Sequence, residues 1–243
     1  MSRREQKVNG RRGVDDRGPC PTAALEALTA PCYRRAMNVP GTRITLASAS
    51  PRRKDLLAQI GIDAIVAPSH ADEESITLET LRADGVPEAE RAAQLALQRA
   101  RLKAQSAQAR PGTIGLLAAD TVVTVEGQSL EKPEDADDAA RMLRLLSGRR
   151  HAVHTGVVFV ANSGEQEEAL VDTNVDFLPL SEWEIASYVD SGEWQGVAGA
   201  YRIQGRAGAF VQRIDGSFTA VVGLPIGTVY SIIRRFSDVL RGS

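Results

Sequence analysis

Cysteine is nearly missing from this 243-residue chain: it holds two, Cys20 and Cys32, and none after them. Two thiols cannot build a disulfide framework or a thiolate metal cluster, so a reducing, cytoplasmic setting is the simplest reading. Long apolar runs are missing too. No stretch approaches the roughly 18 residues of a membrane span, and the N-terminus has no signal-peptide core. Charge of one sign is not in excess: 29 Lys and Arg face 31 Asp and Glu, for a formal net charge of −2. That excludes the basic footprint of a general nucleic-acid binder but leaves room for a local basic cleft. Histidine is scarce at three residues. His151 and His154, an offset of three in a strand-like run, fall on opposite faces and do not form a metal pair. His70 is isolated and reads as solvated. Internal repeats and low-complexity blocks are absent.

What remains is an ordinary globular composition, 43% apolar, enough for one large domain or two small ones. Residues 1–40 stand apart. They are punctuated by Pro19, Pro21 and Pro31, and only Ala23 to Thr29 has helical character. Glu5, Asp15 and Asp16 speak against an arginine-rich transit peptide. The segment reads as a disordered extension, or as upstream sequence if the chain starts at Met37.

The organising stretch is Leu46-Ala47-Ser48-Ala49-Ser50-Pro51-Arg52-Arg53-Lys54-Asp55-Leu56-Leu57. A short strand, Ile44 to Leu46, leads through small residues to Pro51, which suits the first position of a helix. Two arginines then stand in the first helical turn, where cations oppose the macrodipole by about 0.3–1 kcal/mol each. A bound anion resolves the conflict, because free N–H groups, the hydroxyls of Ser48 and Ser50 and the Arg52 and Arg53 forks would converge on it. A solvated basic helix start is the alternative.

Asp63 to Ala67 reads as a second strand, followed by the acidic loop Asp72-Glu73-Glu74. Glu88 to Gln108 has helical periodicity and high alanine content. Ile114 to Ala119 reads as a buried strand ended by Asp120, and Thr121 to Val125 as a second extended run. An unpaired acid between apolar runs is costly to bury, so Asp120 marks either a capped turn or a site. A hairpin at Gly127 leads to Glu131-Lys132-Pro133, which can return Lys132 toward Asp120. Pro133 to Leu146 reads as an amphipathic helix. Strands follow at Val157–Ala161 and Glu168–Phe177. Ser181 with Glu184 forms a capping box, and Leu224 to Leu240 reads as the closing helix. Gln204, in Tyr201-Arg202-Ile203-Gln204-Gly205, carries an amide able to read a base edge or simply to cap a turn.

Taken in order, these segments resemble the Maf family of nucleoside triphosphate pyrophosphatases. The resemblance rests on Ser48-Ala49-Ser50-Pro51-Arg52-Arg53, Asp72-Glu73, Ala119-Asp120-Thr121-Val122-Val123, Glu131-Lys132-Pro133, Ser147 to Val157 and Gly199 to Gly205. Gly216-Ser217-Phe218 and Val221 to Pro225 extend it. It implies an α/β fold over residues 41–243: a single elongated domain with a mixed twisted β-sheet flanked by helices and two lobes around a cleft. It implies that Asp120 activates water and touches a divalent cation (Mg²⁺, Mn²⁺ or Co²⁺) that Glu73 helps to hold, and that Lys132 neutralises phosphate. Ser48, Ser50, Arg52, Arg53, Arg99, Thr121 and Gln204 would bind substrate. Arg99, in Leu95-Ala96-Leu97-Gln98-Arg99-Ala100, stands where the family usually has lysine. Arg52, Thr121 and Gln204 match members that hydrolyse dTTP and UTP. The alternatives are the 7-methyl-GTP type and a cell-division regulator that binds nucleotide without turnover. Homodimers are common in the family; nucleic acid and membrane are not among its implied partners.

Overall fold

A computed structural model describes residues 42–72 and 75–237. The expected extension over residues 1–40, the alternative start at Met37, both cysteines, Glu73 and the final turn toward Leu240 lie outside the described residues. Those described belong to one compact unit, Asn38–Ser243.

The chain begins with β1 (Arg43–Leu46), α1 (Pro51–Gln59) and β2 (Asp63–Val66). Pro51 opens α1, and the Ser50 side chain makes no cap, so the helix presents uncapped N–H groups. A short α2 (Leu78–Ala83) then stands on a capping box of Thr77 and Thr80. The long α3 (Glu88–Ser106) follows.

The next strand corrects an expectation. Gly115 to Val125 is one unbroken strand, β3, with Asp120 in its middle and not at its end. Glu126 and Gly127, both with positive φ, turn it into β4 (Gln128–Leu130). That is the backbone a two-residue hairpin requires. The following helix, α4 (Ala136–Leu146), starts later than Pro133 because Asp135 caps it, accepting from the Asp138 N–H at 2.8 Å.

Then come β5 (Arg150–Ala161), β6 (Gln166–Phe177), α5 (Glu182–Asp190), β7 (Val211–Asp215), α6 (Phe218–Val222) and α7 (Ile226–Phe236). The Ser181–Glu184 capping box forms at the start of α5. His151 and His154 do fall on opposite faces of β5. His151 is buried against Phe177 and Tyr201, whereas His154 contacts Thr124 and Asp172.

The seven strands form one mixed sheet in the order β2-β1-β3-β5-β6-β7, with β4 attached to β3. β1 runs parallel to β2 and β3, and every other pairing is antiparallel. One side of β3 bonds β1 only at Leu116 and Leu117, then β4 from Val123 onward. Between these pairings the strand edge is open, and Asp120 lies there. Strand direction switches at this point, where sheets of this class leave a crevice.

Period two sends neighbouring β3 residues to opposite faces. Leu116, Ala118 and Val122 pack with α3, while Leu117, Ala119 and Val123 join the larger core with α1, α4 and α7. Gly156 on β5 sits opposite Asp120. A Cβ there would lie 2.6 Å from the Ala96 carbonyl oxygen and from Leu97 Cα. Only glycine lets α3 come down this far onto the sheet.

Candidate active site

The open edge of β3 gives onto a cavity of about 370 Å³. Its walls come from seven chain segments, Pro68 and Ser69 after β2 among them. The turn Ser48–Ser50 and the start of α1 supply Arg52 and Arg53. The centre of β3 supplies Asp120 and Thr121, with Lys103 behind it. Lys132 comes from the segment after β4. Residues 196–198, Tyr201 and Val221–Gly223 close the remaining side.

Asp120 is the most constrained group. Its Oδ1 accepts a hydrogen bond from Lys103 Nζ at 2.6 Å, with side chains 10% and 8% exposed. Its Oδ2 is buried and accepts no hydrogen bond from any described residue. An unpartnered carboxylate oxygen is expensive to keep dry. Such an atom at the edge of a cavity points to a cation, or to a water about to react.

Lys103 is the residue that sequence reasoning missed. Arg99, expected to reach phosphate, does not line the cavity. Its guanidinium donates to the Ile76 carbonyl at 2.9 and 3.1 Å and to Glu131 at 3.1 Å. Lys103 lies four residues on, one helical turn farther along the same face of α3. The signal was a lysine one turn after Arg99, the residue read as standing at the family's lysine position, on the same helical face.

The two arginines of α1 play different parts. Arg53 is buried and braces the walls, donating from Nε to the Gly223 carbonyl at 2.8 Å and from Nη1 to Ser48 Oγ at 3.0 Å. Its Nη2 reaches Thr121 Oγ1 at 3.4 Å, and Thr121 in turn meets Thr155 Oγ1 at 3.2 Å. Ser48 also accepts the Ser50 N–H, at 3.2 Å. Arg52 keeps most of its donors; its one hydrogen bond to a described residue is Nη2 to the Gly196 carbonyl at 3.4 Å. Burial, then the neighbouring Arg202 and Arg53 charges, draw its pKa below the usual guanidinium value. Lys132 is exposed on the cavity wall and makes no hydrogen bond or ion pair with a described residue.

Gln204 is not brought to the cavity. The Gly205 N–H bonds the Arg202 carbonyl at 3.0 Å, closing a turn that buries Ile203 and leaves Gln204 exposed. The wall carries Tyr201 instead. Gly199 and Ala200 both adopt positive φ, +71° and +61°. This left-handed pair, unusual for alanine, leads into Tyr201, a core residue that also borders the cavity. Its hydroxyl meets His151 Nε2 at 2.8 Å. Burial holds both groups neutral: it drops the His151 pKa to about 4 and raises that of Tyr201.

No group of three or more His, Cys, Asp or Glu side chains converges among the described residues. Of the two expected metal ligands, Asp120 lines the cavity and Glu73 is outside the described residues.

Comparison with known proteins agrees with these motifs. The family model described as Maf-like protein matches residues 43–236. The chain is 48% identical over 198 residues to a dTTP/UTP pyrophosphatase of Hyphomonas neptunium, covering 81% of this chain and 97% of that protein. It is 47% identical over 187 residues to one of Caulobacter vibrioides, covering 76% and 91%. It is 44% identical over 197 residues to one of Salmonella typhimurium, covering 81% and 94%. With a family match across nearly all the described residues and relatives this similar over most of their length, this chain belongs to the Maf-like proteins.

Proposed function

We propose that the protein hydrolyses dTTP and UTP to the nucleoside monophosphate and pyrophosphate. The observation that carries this reading is the buried Asp120 carboxylate, one oxygen held by Lys103 and the other unpartnered, at the edge of a cavity rich in cations. The names of the relatives supply the substrate class.

Lys103 fixes the carboxylate so that Oδ2 faces the reacting centre. Oδ2 accepts a hydrogen bond from a water and takes its proton as the water oxygen joins the α-phosphorus. The bond from that phosphorus to the α–β bridging oxygen breaks, and pyrophosphate leaves. General-base assistance of this kind contributes about 10²–10⁴-fold. Charge accumulates on the departing phosphates, where Lys132, Arg52 and the uncapped N–H groups of α1 neutralise it. Arg53 holds the walls in register and spends its donors on the protein.

A divalent cation fits this site. Oδ2 is a hard oxygen donor with two lone pairs and no described partner, so one can face a cation while the other accepts from the water, and cations of the Mg²⁺ class are usually bound by one or two carboxylates plus substrate phosphates. Asp120, with Glu73, would hold Mg²⁺, Mn²⁺ or Co²⁺, which when bound would offset phosphate charge.

The test is pyrophosphate release by the purified chain from dTTP, UTP, CTP and 7-methyl-GTP, with Mg²⁺ or Mn²⁺. Turnover of dTTP and UTP above the other two supports the reading. Turnover of 7-methyl-GTP alone, or nucleotide binding without release of pyrophosphate, refutes it.

A further inference from the structure

Two guanidinium groups come near each other beside the cavity: Arg52 lines it, and Arg202 lies just outside the lining, close enough to disfavour the Arg52 charge. Arg52 Nη2 donates to the Gly196 carbonyl and Arg202 Nη2 to the Gln195 carbonyl, at 3.4 and 3.0 Å. Consecutive carbonyls of one turn thus anchor cations from two distant segments, the start of α1 and the residue after Tyr201. Neither arginine forms an ion pair with a described residue. Arg202 Nε is buried and donates to no described residue. The nearness of Arg202 is one reason the charged form of Arg52 is disfavoured.

Like charges drawn together and partly dried are unfavourable alone and favourable around an anion. Other pairings of Arg and acid in this protein are direct: Arg101 with Glu168, Arg144 with Glu182 and Arg150 with Asp176. At the cavity rim the counter-anion has to come from outside. Two planar forks suit a phosphate group, which each can grip with parallel N–H bonds.

We propose that Arg202 is a further substrate-binding residue. With Arg52 it forms a two-guanidinium clamp for the terminal phosphates, the part released as pyrophosphate. The identity of the anion rests on the hydrolysis reading above; the clamp rests on the paired arginines.

The experiment measures pyrophosphate binding to the full chain by titration calorimetry, with Mg²⁺, for wild type, Arg202→Gln and Arg202→Lys. Inhibition of dTTP turnover by dTMP is measured alongside. Arg202→Gln should weaken pyrophosphate about tenfold, the equivalent of one charge-assisted hydrogen bond. Inhibition by dTMP should not change, and Arg202→Lys should recover part of the loss. The melting temperature of the free variant should equal or exceed that of wild type, because a like-charge contact has been removed. Pyrophosphate affinity within twofold of wild type in Arg202→Gln, with normal dTTP turnover by wild type, overturns the clamp alone. Equal weakening of dTMP and pyrophosphate also overturns it. Tight pyrophosphate binding by a wild type that turns over no triphosphate refutes the proposed reaction and leaves the clamp standing.

Discussion

Replacing Asp120 with Asn tests the centre of the mechanism and of the fold together. The substitution keeps size and shape but removes the charge opposite Lys103. At an effective dielectric of about 20, charges 2.6 Å apart attract by about 6 kcal/mol before the cost of drying both is subtracted. Removing one partner of a buried pair typically costs about 3–5 kcal/mol. The Asn carbonyl can still accept from Lys103, which points to the lower end, about 3 kcal/mol. For a domain of this size that is a fall in Tm of about 6–12 °C. The chemical loss is separate: without a carboxylate to take the proton, kcat should fall about 10²–10⁴-fold. Thermal melts followed by circular dichroism read the first effect, and pyrophosphate release from dTTP reads the second, at a temperature where both proteins are folded. An Asp120→Asn variant that keeps a tenth or more of wild-type kcat, or melts with wild type, refutes the reasoning.

Arg99→Met and Lys103→Met should separate cleanly. The first should lower Tm while leaving the KM for dTTP within about twofold, because Arg99 serves Ile76 and Glu131 outside the cavity; the second should abolish turnover, as steady-state kinetics would show. Gly156→Val should push α3 off the sheet, since even a Cβ would sit 2.6 Å from Ala96 and Leu97. The expected cost is about 3 kcal/mol or more by denaturant titration, with kcat reduced as Lys103 moves from Asp120. His151 predicts a pH effect on stability. Burial depresses its folded-state pKa from 6.5 to about 4, so the unfolded state binds the extra proton. Stability should be full above about pH 6.5 and fall by about 3 kcal/mol as pH drops toward 4. His151→Gln, which keeps a partner for the Tyr201 hydroxyl, should flatten that acid limb in urea titrations between pH 4 and 7.5.

Much of the site was legible as local chemistry. The strand–turn–helix around Ser48–Arg53 could be read from small residues, Pro51 and the misplaced arginines, and the structure puts that turn on the cavity wall. The Gly127 hairpin and the Ser181–Glu184 box are short-range features, and both form where read. Asp120 was legible as an anomaly, an acid amid apolar runs. Its place within the strand was not. An acid reads as an interruption unless the strand edge beside it is open, and that opening exists because β1 stops pairing before β4 starts. That Gln204 stays exposed and outside the cavity was equally hidden, because a turn amide and a base-reading amide are written with the same letters.

What the sequence determined by itself was the inventory and its order: a helix start with two arginines, an acid in an apolar run, a lysine after a hairpin, and Arg99 in a long helix. These follow from propensity, period and spacing, which act over a few residues. Tertiary structure decided which of the candidates meet. Arg99 and Lys103 share a face of α3 but differ by about 6 Å along its axis, one turn at 1.5 Å per residue. The depth to which the helix settles over Gly156 selects Lys103 for Asp120. Arg52 and Arg53 are neighbours about 100° apart around α1, so one turns inward to brace Gly223 and the other stays beside Arg202 at the rim. Such choices depend on contacts between segments up to 170 residues apart. No local rule carries that information, because the energy of each pairing exists only once the sheet has brought the partners together.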